Sequence, residues 1–287
     1  MLKSTLKNFL KKHLLIFKVR EKFSPSVQIT QRQLMMQYKT MILNGNYPKI
    51  SETGFSVFSQ YEEDGILLYL FSIIGMQVNS FIEIGSDDGI NSNCANLAFN
   101  FGWYGLFIDA NKTSIDRGKR FYARYPDSWR YKPKFVCSKV TRENINDIIK
   151  DADIKGEVGL LSIDIDGNDY WIWDAISEVQ PQVVLIESHI EFGFNNVVVP
   201  YDAHYNYKGK DSIYHGASPV AIVQLAKRKG YRLIGTNLYG HNLFFVKNGI
   251  ADKEIKEVRL EDCLTHPNAT ESFRLFEKVK NMEFLEG

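Results

Sequence analysis

Phe81-Ile82-Glu83-Ile84-Gly85-Ser86-Asp87-Asp88-Gly89 is the stretch on which the reading of this chain turns. An apolar run carrying one acid, Glu83, is followed by glycines two and six positions on. Such a run reads as a buried strand that stops at a sharp turn. A glycine at the stop lets the backbone adopt positive φ or approach a ligand closely. Residues 90–98 then read as a helix. Strand, glycine turn and helix form a nucleotide cradle in doubly wound α/β sheets, where ligands sit at the carboxyl ends of the strands. Twenty residues past Gly89, the run Gly105-Leu106-Phe107-Ile108-Asp109 predicts a second strand that ends in a carboxylate. Asp109 is placed there to accept hydrogen bonds from both hydroxyls of a ribose.

The acid-x-Gly-x-x-x-Gly spacing resembles motif I of S-adenosylmethionine (SAM) methyltransferases. It departs from the G-x-G-x-x-G of nicotinamide enzymes, because Asp87 stands where the second glycine would let the backbone touch a pyrophosphate. SAM has no phosphate and its methionine amino group is cationic, so a turn carrying Glu83, Asp87 and Asp88 suits it better. The same residues also fit a tight strand-to-helix turn with no ligand, and the order of elements that follows weighs against that.

A helix over residues 66–74, closed by Gly75, precedes the first strand. After the second strand come a polar helix near 113–125 and a third strand centred on Phe135-Val136-Cys137. Thr141 is expected to cap a short helix carrying Ile145, Ile148 and Ile149. Residues 159–164 form the fourth strand, 170–179 its helix and 183–187 the fifth strand. A long irregular stretch covers 190–216. Ser218-Pro219 opens the next helix as N-cap and first-turn proline, and Gly230 ends it. The runs 231–236 and 242–246 are strands joined by a loop too short for a parallel return, so they pair antiparallel. Parallel strands followed by such a hairpin match a Rossmann-like class I methyltransferase sheet with helices on both faces. The resemblance covers residues 56–248, within an α/β domain of 56–250. Around it lie a basic helix (1–22), a helical linker (23–55, helical from about 31) and a C-terminal helical extension (251–287).

The 287 residues suffice for one large α/β domain with extensions, and the 44% hydrophobic content supplies a sizeable core. A formal net charge of +1 argues against a general nucleic-acid binder. Cys94, Cys137 and Cys263 form neither a zinc spacing nor a disulfide framework, which suits a reducing cytoplasm. No apolar run is long enough to span a bilayer, and the N-terminus does not read as a signal peptide. Charge is nevertheless uneven. Residues 1–22 hold seven cations against Glu21, a net +6 that leaves −5 for the rest. Leu2, Leu6, Phe9, Leu10, Leu14 and Phe17 share one helical face. Such a helix can lie on an anionic membrane surface, peripheral to its inner face, or pack on the domain or a partner subunit in a homo-oligomer.

Ser59-Gln60-Tyr61-Glu62-Glu63-Asp64 looks like the Ser-Gln-x-x-Glu-Asp lead-in of FkbM-like methyltransferases, and Gly102-Trp103-Tyr104-Gly105 resembles the entry to their second strand. These enzymes modify hydroxyl or carboxyl groups of natural products and sugars. The chain departs from them after strand four, where Asp164-Ile165-Asp166-Gly167-Asn168-Asp169-Tyr170 replaces Asp-x-Glu-Gly. That variant is also similar to the turn of metal-dependent sugar O-methyltransferases. The resemblance implies SAM contacts from Gln60, Glu83, Gly85, Ser86, Gly89, Asp109, Ala110, Ser138 and Asp164.

Transfer of a methyl group to an alcohol requires removal of its proton by a base or a Lewis-acidic metal. Asp164 and Asp166, two residues apart, point the same way if the backbone stays extended. Glu187 closes strand five and His189 follows at the same spacing. Asp166, Glu187 and His189 are therefore the catalytic candidates, with Asp166 and Glu187 as ligands if Mg2+ or Mn2+ takes part. Asn168 and Asp169 also read as a polar turn and helix cap. Residues 191–216 are rich in tyrosine, histidine and lysine, as a carbohydrate site or a sealing lid requires. His204 and His215 read as structural. The expected function is SAM-dependent O-methylation of a hydroxyl on a sugar or polysaccharide/glycan precursor. The alternatives are an NAD(P)-dependent oxidoreductase and a non-catalytic glycan-binding or scaffold member of the fold.

Overall fold

Strands Ser80–Ile84 (β1), Tyr104–Asp109 (β2), Lys134–Cys137 (β3), Gly156–Ile163 (β4), Val179–Glu187 (β5), Tyr231–Thr236 (β6) and Asn242–Lys247 (β7) form one sheet in a computed structural model that describes residues 22–124 and 131–287. Their order is β3-β2-β1-β4-β5-β7-β6. β1 pairs parallel with β2 and β4, β2 with β3, and β4 with β5. β7 runs antiparallel between β5 and β6. This is the mixed α/β sheet that the element order implies, including the final hairpin.

Helices cover both faces: Pro25–Leu43 (α1), Glu63–Ile74 (α2), Ala95–Phe101 (α3), Lys112–Tyr122 (α4), Ile145–Asp151 (α5), Asp169–Ala175 (α6) and Pro219–Arg228 (α7), with Leu260–Cys263 (α8) and Pro267–Ser272 (α9) in the C-terminal extension. Successive side chains of a strand face opposite ways. Ile82 and Ile84 accordingly enter one core with Leu106, Ile108 and Leu161, whereas Phe81 enters the other with Phe107 and Leu160. Strands buried on both sides read as continuous apolar runs, which is why the parallel strands are conspicuous in the sequence.

Several boundaries differ from expectation for local chemical reasons. α3 starts at Ala95, not at 90. Asp88 takes the Ile90 N–H at 2.9 Å, and Glu83 takes those of Asn93 and Cys94 at 2.9 Å each, so residues 86–94 remain a wound loop. α6 ends at Ala175 rather than 179, because β5 already begins at Val179. α5 is regular only from Ile145, but Thr141 caps the turn that leads into it as expected: its hydroxyl accepts the Asn144 N–H and its own N–H donates to the Asn144 Oδ1. α1 begins at Pro25, with Ser24 as its N-cap. Gly75 ends α2 at φ 93°, and Ser218 caps α7 with Pro219 in its first turn, both as read from sequence.

The C-terminal extension folds back over the irregular segment 190–216. Leu285 bridges Val198, while Val279, Phe276 and Phe284 pack with Phe192 and Tyr214. The basic helix expected over 1–22 lies outside the described residues apart from Lys22. Among the described residues no helix is long and apolar enough to cross a membrane.

Candidate functional site

The parallel strands β2, β1, β4 and β5 lie side by side, so their carboxyl ends present Asp109, Gly85, Asp164 and Glu187 in that spatial order. At β1, Gly85 turns the chain at φ 85°. Its amide and that of Ser86 donate to the Ile108 carbonyl at 2.9 and 3.1 Å. A Cβ on Gly85 would collide with the carbonyl oxygen of Asp164, so the two strand ends touch only because this residue is glycine. Asp109 receives the Asp87 N–H on one oxygen at 2.9 Å and the Asn111 N–H on the other at 2.7 Å. A carboxylate oxygen accepts more than one hydrogen bond, so this pinned group still has capacity toward a diol.

The acids of the turn are already engaged. Glu83 is buried beneath the loop that its carboxylate holds through Asn93 and Cys94, and burial raises its pKa to about 7. Arg117 pairs with Asp88 at 2.6 Å and with Asp87 at 3.2 Å. Ser86 keeps a buried hydroxyl with no hydrogen-bond partner among the described residues. Gly89 (φ 66°) sits under the Phe107 ring. Ala110 is exposed and its carbonyl receives the Cys137 thiol, while Ser138 donates its amide to the Asp109 carbonyl at 2.9 Å. Gln60 is exposed, whereas its neighbours in the lead-in are not: Asp64 accepts from the amides of Val57, Phe58 and Ser59 at 2.7, 2.5 and 2.9 Å, and Glu63 accepts from Asn237 and Asn242.

The second half of the site gathers at β4 and β5. β4 stops at Ile163 and Asp166 has φ 55°, so Asp164 and Asp166 do not converge along an extended backbone as the spacing suggests. A tight turn converges them instead, organised by buried Asp169, which accepts from the amides of Ile165 (2.8 Å) and Gly167 (2.9 Å). Carboxylate oxygens of Asp164, Asp166 and Glu187 come within 4.8 Å of one another. Burial, then mutual repulsion, raises Asp164 to about 7 and pushes Glu187 well above the usual carboxylate range. One proton shared between Asp164 and Glu187 relieves that repulsion. Burial also raises Asp169, to about 6.

His189 lies two residues beyond Glu187, yet both its ring nitrogens are engaged elsewhere. Nε2 contacts the Ile213 carbonyl at 2.8 Å and Nδ1 contacts Glu191 at 3.1 Å. Two acceptors are satisfied together only by a protonated ring, whereas burial lowers its pKa to about 4. At neutral pH the buried ring is uncharged, so Nε2–H donates to Ile213 and the Glu191 contact is not an ion pair. The His215 ring lies tilted against that of His189, with centroids 4.0 Å apart, and burial lowers its pKa likewise to about 4. In the sequence Tyr205 is one of several tyrosines of a long loop. Its ring lies against Gly167 in the carboxylate turn, and its buried hydroxyl has no hydrogen-bond partner among the described residues. Gly167 was the available signal, because a glycine beside an acidic turn often marks close packing by another group.

No family model matches the chain, and no curated protein is detectably similar to it. Solved structures do resemble it in fold. One provisionally described as a caffeoyl-CoA O-methyltransferase from Staphylococcus aureus aligns over 83% of this chain and 100% of its own, at 16% identity and a TM-score of 0.45. The glycopeptide N-methyltransferase MtfA complexed with sinefungin aligns over 60% of this chain and 81% of its own, at 11% identity and a TM-score of 0.38. A SAM-dependent methyltransferase from Methanosarcina mazei aligns over 58% and 92%, at 12% identity and a TM-score of 0.37. Likenesses at this level leave the function to be argued from this chain's own residues.

Proposed function

We propose that the chain is a SAM-dependent O-methyltransferase of the FkbM-like branch, methylating a hydroxyl of a sugar or glycan precursor. The observation that carries this reading is the order of groups along adjacent strand ends: a pinned carboxylate at β2, a glycine turn at β1 and a cluster of carboxylates at β4 and β5. Asp109 takes the ribose hydroxyls, the Gly85–Gly89 turn and the Asp164 side take the methionine end, and Asp166 and Glu187 face the acceptor. Gln60, Ala110 and Ser138 rim the cofactor. The sugar acceptor is supported by the tyrosine-rich segment beside the acids, since phenol rings stack on sugars and donate to their hydroxyls.

The chemistry is a displacement in which the acceptor oxygen bonds to the methyl carbon as the carbon–sulfur bond breaks, leaving its electron pair on sulfur. Holding oxygen, carbon and sulfur in line supplies much of the acceleration. The acceptor's proton passes to the carboxylate cluster, in which Asp164, raised to about 7, suits a base working near neutral pH. His189 holds the following segment through Ile213 instead of taking that proton. A second reading rests on the same three convergent oxygens: Asp164, Asp166 and Glu187 form an all-oxygen set of the kind hard divalent cations prefer. A cation held there would lower the pKa of the acceptor hydroxyl.

S-adenosylhomocysteine release measured across a panel of methyl glycosides tests the proposal. Asp166→Asn and Glu187→Gln should each lower turnover by roughly 10²–10⁴-fold, the range for a lost general base, and His189→Ala by far less. Loss of turnover in excess chelator, restored by Mg2+ or Mn2+, selects the cation reading; full activity in chelator selects the carboxylate base. Undiminished turnover in both carboxylate variants would place the active site elsewhere.

A further inference from the structure

Residues 203–212 form a tip between two anchors. At one end Asn168 of the carboxylate turn donates to the Asp202 carbonyl at 2.9 Å, and at the other His189 holds the Ile213 carbonyl at 2.8 Å. Between them the hydrogen bonds of the tip stay within residues 202–215: His204 and Tyr205 N–H return to Asp202, Gly209 N–H to Asn206, and the Ser212 carbonyl meets His215. Residues 206–212 are exposed. Two rings tie the tip inward: Tyr207 sits edge-on to the buried His215 ring at 5.4 Å, and Tyr205 reaches deeper. The Tyr205 ring is wedged between Gly167 and Gly209, and a Cβ on either glycine would overlap it. Its phenol oxygen, buried near the charges of Asp166, Asp169 and Glu187, makes no hydrogen bond to any described group.

We propose that residues 203–212 are a lid on the acceptor side of the carboxylate cluster, latched by the Tyr205 ring in its glycine slot. The designation of that side as the acceptor side rests on the function proposed above; the latch itself does not. The orphaned hydroxyl sets its strength. Closing buries the ring, which is favourable, but strips water from a phenol that gains no partner. Opening therefore breaks no hydrogen bond of that hydroxyl and returns it to water, so the lid is held weakly enough to admit a bulky hydroxylated molecule. Anchors at Asp202 and Ile213 confine the movement to the tip.

The latch makes opposite predictions for two changes at one residue. Lys208 and Lys210 lie exposed in the tip, and trypsin cleaves after them in proportion to the open population when opening is fast. Tyr205→Ala, and Gly167→Ala with its methyl in the slot, should speed cleavage at these two bonds by about tenfold or more. Tyr205→Phe keeps the ring and removes the unpaired hydroxyl, so it should slow cleavage by roughly threefold to tenfold. Cleavage followed by mass spectrometry on the full chain reads each bond separately. If the alanine variants lose the fold by circular dichroism, Tyr205→Phe alone decides. Tyr205→Phe cleaved as fast as wild type or faster, or folded alanine variants cleaved at the wild-type rate, would overturn the latch. Neither SAM nor an acceptor enters this experiment, so its failure leaves the methyltransferase reading untouched, and failure of that reading leaves the latch untouched.

Discussion

Asp164 and Glu187 link the geometry of the site to a pH dependence of the fold. Both have folded pKa values raised above the ordinary carboxylate value, by burial first and repulsion second. A raised carboxyl contributes stability that is complete below its unfolded pKa and is lost as pH rises through its folded pKa. His189 and His215 work the other way. Their pKa values fall to about 4, so their share grows from pH 4 to about 6.5 and is flat above that. Between pH 6.5 and 8 the buried carboxylates still titrate, Glu83 at about 7 among them. The melting temperature should therefore fall across that window, and Asp164→Asn or Glu187→Gln should each flatten the fall. A melting temperature that rises from pH 6.5 to 8 would mean the cluster is ionised and stabilised by some other charge. The identity of these carboxylates was legible in the sequence because acids at strand ends interrupt apolar runs. Their mode of convergence was not, because spacing alone cannot reveal the left-handed Asp166 or the Asp169 carboxylate that builds the turn.

At the scale of elements, the lead-in to α2 is held by charge as much as by packing. Glu63 is fully buried and its carboxylate accepts from the side-chain amides of Asn237 and Asn242 at 2.9 Å each, and from the Tyr61 N–H at 2.9 Å. It thereby fastens the start of α2 to the β6–β7 hairpin, on the same side of the sheet as the site. Glu63→Ala strands these donors, at about 1–3 kcal/mol for each buried group left unpaired. For a chain of this size the melting temperature should drop by roughly 5–10 °C. Gln60→Ala, one turn earlier and exposed, should leave it unchanged. Scanning calorimetry of both variants checks the contrast; equal effects would mean the motif does not act through Glu63. The strands and the hairpin could be read from sequence because burial on both faces and loop length constrain them locally. The start of α3 could not, because it depends on Glu83, ten residues earlier, capturing the amides that would otherwise enter the helix.

At the scale of the whole molecule, the sheet order explains why one edge of the chain concentrates its chemistry. Parallel strands bring Gly85 and Glu187, about a hundred positions apart in sequence, to strand ends with only that of β4 between them, and the antiparallel β7 lies beside β5. The C-terminal extension then packs outside the lid anchors through Phe276, Val279 and Phe284, an arrangement that no local pattern in the sequence discloses. The central claim is that this edge binds SAM with its ribose on Asp109. Calorimetric titration of wild type and Asp109→Ala with SAM, and of wild type with NAD, tests it most directly. Charge-assisted hydrogen bonds of about 1.5–3 kcal/mol each are at stake, so the variant, still folded by circular dichroism, should bind SAM at least tenfold more weakly, and NAD should give no heat. Equal SAM binding by wild type and variant, or saturable NAD binding in place of SAM, would contradict the account.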